Sequence, residues 1–376
     1  MNSTRIHFQW SAEKPQARFG TGVSLHSHTL HSRELLDFIY RIARHCAPAR
    51  WALRRSEARY QFLHGVPLDL SHGWWTPPLG PRDAYSVEFD QISSLGLDPI
   101  VSLTDHDDIE APISLQALET SRNIPISVEW TVPFRNTFFH LGVHNLPPSR
   151  ARAWMDQLRA FTDRPIESDL CAILASLHSE PGVLTVFNHP LWDEMGIGTE
   201  QHRTAAIALL SQYGEYLHAI ELNGLRPWRE NSAVIRLARD WEKPVISGGD
   251  RHVTEPNACL NLTDASSFAE FAAEIRSGWS EVLLASHYRT SHATRVFHNI
   301  VDVFRTYENH QLGWTDWSDR VFYTLQDGTI ASLSQLWKDG PPLSVGVFAG
   351  FMQFAGQPSM RYAVRAAALG AENVLL

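Results

Sequence analysis

His26 and His28 stand one residue apart in the stretch Ser24-Leu25-His26-Ser27-His28-Thr29-Leu30-His31-Ser32. On an extended strand alternate side chains leave the same face, so the two imidazoles project together, one pleat apart. Two ring nitrogens so placed make half of a metal site. Similar donors recur along the chain, as Asp105-His106, Glu129, His140, His189 and Asp250 with His252. This donor set is nitrogen and carboxylate without thiolate, which suits zinc, manganese or iron and disfavours a sulfur-bound structural site. Eight donors exceed what one ion needs and suit a centre of two or three divalent ions with open positions. Neighbouring cations acidify water to a pKa of about 7 and clamp phosphoryl oxygens, which makes a protein nucleophile unnecessary.

Elements that would position these donors follow from the apolar pattern. Short apolar runs at 22–25, 98–103, 124–128, 182–187, 218–222, 244–247 and 282–285 read as seven buried strands, with 137–143 as an extended excursion. Helical spacing separates most of them, over 83–95, 150–161, 169–178, 204–217 and 232–242. That alternation predicts an α/β fold with a parallel sheet closed or nearly closed by crossover helices. Nearly every strand releases a His, Asp or Glu at its C-terminal end, the face on which β/α barrels gather catalytic groups.

Two stretches fall outside this rhythm. Residues 33–81 begin as an amphipathic helix, continue through a basic run from Arg41 to Arg59 and end in Trp74-Trp75-Thr76-Pro77-Pro78, which predicts irregular structure. Leaving directly from the histidine cluster, this insertion is a candidate cap. Beyond residue 290 no metal-type motif appears, and 296–304, 332–337 and 360–369 look helical, so 291–376 reads as a helical C-terminal extension to a 1–290 barrel.

Composition narrows the function. With 376 residues, 44% hydrophobic and 19% charged, the chain is long enough for one large α/β barrel or two domains. A net charge of -9 argues against general nucleic-acid binding, although the Arg41–Arg59 run leaves an oligonucleotide substrate open. Three widely spaced cysteines, Cys46, Cys171 and Cys259, point to neither a disulfide framework nor a CxxC zinc site. The first residues lack the apolar run of a signal peptide, and no stretch reaches the length of a membrane span, so a cytoplasmic location is expected.

His26-Ser27-His28-Thr29, Thr104-Asp105-His106, Glu129 with His140, Asn188-His189-Pro190 and Asp250-Arg251-His252 occur in this order between residues 22 and 288. The series resembles the PHP (polymerase and histidinol phosphatase) family. That resemblance implies a distorted seven-stranded β/α barrel that binds two or three divalent metals and hydrolyses phosphoesters. On this pattern His26 and His28 share a first metal with Glu129 and Asp250, and Glu129 bridges to a second held by His140 and His189. A third takes His106 and His252 with one ligand from the loop after the first strand. There the sequence departs from the family: Arg33 stands where an Asp is common, so Glu34 is the expected ligand and His31 the reserve. Ser24 replaces an Asp that supports the histidines from behind.

Asp105, beside a ligand, is a candidate proton carrier or a turn cap. Substrate phosphate calls for arginine, and Arg251 is best placed for it, followed by Arg226, Arg229 and Arg33. His287 and His144 are further candidates for substrate contact, and Glu221 with Asn223 reads as structural hydrogen bonding. The expected function is a phosphoesterase acting on a small phosphorylated molecule through a metal-activated hydroxide. Alternatives are an amidohydrolase-like C–N or lactone hydrolase, an oligonucleotide phosphoesterase, and a non-catalytic metal-binding scaffold.

Overall fold

A computed structural model of the chain describes residues 3–360, apart from residues 37 and 46. Cys46 and the expected helix beyond Met360 therefore lie outside the described residues. The described residues divide into two compact units, one of 3–32 with 79–292, the other of 33–78 with 293–360.

The first unit is mixed α/β with two five-stranded sheets. One runs Ser3–Phe8, Trp279–Leu284, Cys259–Thr263, Thr21–Ser24, Asp98–Val101. The other runs Val245–Gly248, Ala219–Asn223, Leu184–Phe187, Thr137–His144, Val128–Phe134. Seven strands in a sheet closed or nearly closed into a distorted barrel were expected; among the described residues this unit has ten, in two sheets whose hydrogen-bonded ladders do not close on each other. Cys259–Thr263 lies antiparallel between two strands that the sequence pattern places in a parallel sheet. Its five residues are too short a run to stand out from the loop before them. Ser3–Phe8, outside the seven strands read from the sequence, pairs in parallel with Trp279–Leu284, because Ile6 and Phe8 find a partner ladder at the other end of the unit. The 137–143 excursion is a strand of the second sheet, paired in a hairpin with Val128–Phe134. Isolated parallel bridges join the ends of strands of the two sheets, Ser27 with Arg251 and His106 with Glu129, and side-chain bonds such as Ser247 N to Asn261 Oδ1 at 2.8 Å link them as well.

Period-two alternation decides where Glu129 points. Val128, Trp130 and Val132 are fully buried in the apolar core, and the Trp130 indole donates to Leu158 O and Thr162 Oγ1, both at 3.1 Å. Glu129, between them, must face the other way. Removing a ring like that of Trp130 costs about 3–5 kcal/mol, so a register slip that turned Glu129 outward would sacrifice the anchor. Helix Pro81–Ser94 begins with proline at its first turn and ends before Gly96, whose φ of 77° permits the reversal into the next strand.

The second unit carries a four-stranded antiparallel sheet ordered Ile330–Ser332, Val321–Thr324, Gly73–Trp75, Glu34–Leu35. Two expectations change here. Trp74 and Trp75 form a strand rather than irregular chain, and the stretch after 290 is not wholly helical. Cross-strand aromatic pairing between Gly73–Trp75 and Val321–Thr324 explains both, since Trp74 packs across the ladder on Phe322 with ring centroids 5.7 Å apart. Helices Ala47–His64 and Leu343–Ala355 belong to the same unit. Among the described residues no helix is long and apolar enough to cross a membrane.

Candidate metal centre

Glu129 lies at the middle of a histidine cluster inside the first unit. Its Oε2 is 2.9 Å from His26 Nε2, 3.3 Å from His28 Nε2 and 3.4 Å from His106 Nδ1. Its other oxygen is 3.1 Å from His189 Nε2 and 3.6 Å from His140 Nδ1. Asp250 Oδ1 closes another side, 3.7 Å from His26 Nε2, 3.6 Å from His28 Nε2 and 3.5 Å from His252 Nδ1. Donor atoms of His26, His28 and Glu129 lie within 4.8 Å of one another, as do those of His106, Glu129 and His140. Rings of His28 and His252 stack at 4.2 Å and those of His28 and His106 at 4.9 Å. The structure thus gathers eight predicted donors, His26, His28, His106, Glu129, His140, His189, Asp250 and His252, from chain segments more than 200 residues apart.

These side chains are held at some backbone cost. His26, His189 and Asp250 have φ of 63°, 24° and 54°, in the left-handed region that residues other than glycine rarely adopt. Beneath them Gly248 and Gly249 are required by close approach. A Cβ on Gly248 would meet Glu221 Oε1 at 1.6 Å, and one on Gly249 would meet Asn257 at 1.8 Å.

Electrostatics follow from crowding. Burial alone would raise the Glu129 carboxyl, but His26, His106, His140 and His189 hold it well below the carboxylate range. Burial would also raise Asp250, which His28, His26, His252 and His189 hold well below its ordinary value. For His26, burial is outweighed by Glu129 and Glu221, and its pKa rises. His140 goes the other way, pushed well down by burial and by neighbouring His106, His189 and His26.

Two buried atoms test whether cations fit. His26 Nε2 and Glu129 Oε2 face each other at 2.9 Å, yet neither has a hydrogen-bond partner of acceptable geometry. Buried polar atoms left so are costly, and two donors converging without bonding each other suit a shared ion. On its far side His26 Nδ1 lies 2.5 Å from Glu221 Oε1, which fixes the tautomer and leaves Nε2 as the donor, the usual carboxylate–histidine arrangement behind a metal. Glu221 Oε2 accepts from the His189 backbone N–H at 2.7 Å and from Asn223 Nδ2 at 3.0 Å. Both of its oxygens are engaged, in keeping with a structural hydrogen-bonding role.

The remaining sequence candidates differ in their surroundings. Arg251, expected to bind phosphate, is buried beneath the cluster: Nε donates to Glu88 Oε1 at 2.6 Å and Nη1 to Val253 O at 2.8 Å. That commitment to a buried carboxylate takes it away from substrate. Asp105 holds the loop after His28, accepting from Thr29 N at 2.5 Å and from Thr29 Oγ1 at 2.7 Å, a long-range contact rather than a cap on the turn that follows it. Arg226 does reach the centre, with Nη2 3.3 Å from Asp250 Oδ2 and its guanidinium 3.6 Å over the Trp192 ring. Arg229 is exposed on helix Trp228–Asp240, and His287 Nε2 lies 3.1 Å from Pro256 O. Arg33 and Glu34 belong to the second unit, where Arg33 lies over the Trp74 ring at 5.0 Å and Glu34 pairs with Trp75.

Three contributors escaped sequence reading. Glu88 occupies the buried face of helix Pro81–Ser94 with Ala84 and Ile92, and accepts from Ser24 Oγ at 2.8 Å. It brings a buried carboxylate to Ser24. A charged residue at the centre of an i, i+4, i+8 apolar stripe was the available signal. Trp192, stacked on Arg226, and Glu194, whose Oε2 is 3.9 Å from His140 Nδ1, lie just beyond the Asn188-His189-Pro190 motif and carried no pattern of their own.

No family model matches the chain, and no curated protein matches it. Among solved structures, an amidohydrolase from Chromobacterium violaceum is similar over 48% of this chain and 84% of its own, at 16% identity and a TM-score of 0.33. A candidate metal-dependent phosphoesterase from Bifidobacterium adolescentis is similar over 53% of this chain and 92% of its own, at 15% identity and a TM-score of 0.34. At these scores neither likeness bears on function.

Proposed function

We propose that the protein is a metal-dependent phosphoesterase acting on a small phosphorylated molecule, with its centre built on a distorted β/α barrel of the PHP type. The observation that carries this reading is Glu129, buried, with histidine nitrogens against both oxygens and one oxygen facing His26 Nε2 without bonding it. His26, His28 and Asp250 would hold one ion, and His140 and His189 a second, with Glu129 shared between them. His106 and His252 would hold a third, for which the sequence offers Glu34. Divalent cations in these places supply electrophilic charge to phosphoryl oxygens and acidify water near neutral pH.

The chain's own residues do the rest. Glu221 orients His26, and Asn188 Nδ2 donates to Glu129 Oε1 at 2.9 Å, fixing that carboxylate's rotamer. Arg226, steadied by Trp192, offers a guanidinium beside Asp250, where it favours an anionic substrate over a neutral amide or lactone. Protein loaded with manganese or zinc should hydrolyse an aryl phosphate in preference to a panel of amides and lactones. Asp250→Ala and His189→Ala should abolish this, and Arg226→Gln should raise KM at least tenfold, with circular dichroism unchanged. Full activity in both ligand variants would overturn the proposal. Faster turnover of lactones or amides than of any phosphate would place the protein with the amidohydrolases instead.

A further inference from the structure

The second unit holds an apolar pocket of about 210 Å³ that plays no part in the metal centre. One wall is the face of helix Ala47–His64 that presents Ala49, Ala52, Leu53 and Ser56, at i, i+3, i+4 and i+7. Opposite stand Trp75, Phe304, Trp317, Trp337 and Phe348, with Val345 from helix Leu343–Ala355. These rings brace one another: Phe304 lies 5.1 Å from Trp317 and 5.5 Å from Phe348, and Trp317 lies 6.2 Å from Trp337. Large rings locked edge to face keep the space preformed, because collapse would break several of these contacts at once.

We propose that this pocket binds an uncharged hydrocarbon group. Both hydroxyls in its wall are already used, Ser56 Oγ donating to Ala52 O at 2.9 Å and Tyr323 Oη to Asp69 O at 3.1 Å. A polar ligand atom would find neither available as a donor, whereas a hydrocarbon leaves nothing unsatisfied. A dry apolar cavity of about 150 Å³ takes one benzene ring, so this larger space has room for about two fused rings or an eight-carbon chain. Alanine at 49 and 52 is what keeps it open, since leucine at either place would fill much of it.

The shared chemistry, an apolar body without a charged end inside the protein, could come from an aromatic molecule or from an alkyl chain. Full-length protein titrated calorimetrically with naphthalene and, separately, with 1-octanol distinguishes them. Saturable 1:1 binding of either probe with a negative heat-capacity change is expected, and the tighter probe identifies the source. Ala52→Phe should weaken it at least tenfold while metal content stays unchanged. Val345→Phe fills the space from the opposite helix and serves where Ala52→Phe does not fold. Absence of saturable binding for both probes, or undiminished binding in a folded filling variant, would overturn the proposal.

Discussion

Replacing Glu88 by glutamine tests whether the candidate metal centre is held from below. Glu88 is fully buried, and so is Arg251, whose Nε donates to it at 2.6 Å. Glutamine keeps the shape and can still accept from Ser24 Oγ, but the Arg251 guanidinium loses the carboxylate that offsets it. Breaking a buried pair in this way costs about 3–5 kcal/mol. Arg251→Met in the same background removes the stranded charge, so the double variant should recover about 2–3 kcal/mol of coupling. Hydrogen exchange on peptides covering Thr21–Ser24 and Pro81–Ser94 reads this locally, without requiring both units to unfold together. A loss of 3 kcal/mol appears as exchange accelerated about 100-fold or more, at a factor of ten per 1.4 kcal/mol. Acceleration below about fivefold, or a strictly additive double variant, would refute the reasoning. So would an Arg251→Met protein with unaltered exchange but a raised KM for phosphates, because Arg251 would then face substrate.

Three other outcomes follow from the same geometry. Glu221→Gln removes the carboxylate 2.5 Å from His26 Nδ1 and should weaken metal binding about 10–100-fold in a chelator competition, whereas unchanged affinity would show that it does not orient the ligand. Gly248→Ala forces a methyl to within 1.6 Å of the undisturbed Glu221 Oε1 position, so the purified variant should carry less metal than wild type in elemental analysis; equal content would mean that the carboxylate moves without consequence. His144 is buried with its pKa pushed down to about 3 by burial and by His26. It stays neutral when folded, so the unfolded state takes up the extra proton as pH falls below 6.5, and stability drops by about 2 kcal/mol between pH 6.5 and 5 from this group alone. Metal-free His144→Asn should lose correspondingly less than wild type over that range in urea unfolding; parallel profiles would refute the assignment.

Donors were legible in the sequence because metal ligation restricts residue type and short-range spacing at once. The spacing of His26 and His28 marked them out, although both lie past the end of strand Thr21–Ser24 and His26 has a φ of 63°, so the turn of the chain there and not strand alternation brings them together; Asp250 with His252 follows a strand whose apolar run is unambiguous. What supports them was not legible, because a buried salt bridge needs only one partner on each of two elements and leaves no local spacing. Glu88 and Arg251 are 163 positions apart, and Arg251, flanked by two ligands, had the spacing of a substrate residue while its side chain turns beneath the cluster. Sheet order was hidden for a related reason. Short apolar runs state that a strand exists but not its direction, so the sequence pattern does not reveal that Cys259–Thr263 runs antiparallel or that Thr137–His144, an excursion in the sequence reading, is a hairpin strand of the second sheet.

Strain and crowding at the centre make sense together on the proposed reading. Three donors sit at positive φ, each at a cost of order 1–3 kcal/mol, and Glu129 and Asp250 remain ionised among groups whose own pKa values are driven apart. A cluster so arranged is stabilised by whatever neutralises it, protons or cations. Ions that bind only the folded chain add about 2.7 kcal/mol at one hundred times their dissociation constant. Without them the geometry must be maintained by parts that never touch the ions: the Trp130 anchor behind Glu129, the paired glycines under Glu221, and the Glu88–Arg251 pair beneath His28. Those are the positions at which substitution should remove metal while leaving every ligand in the sequence, and losing metal there would separate support of the site from membership in it.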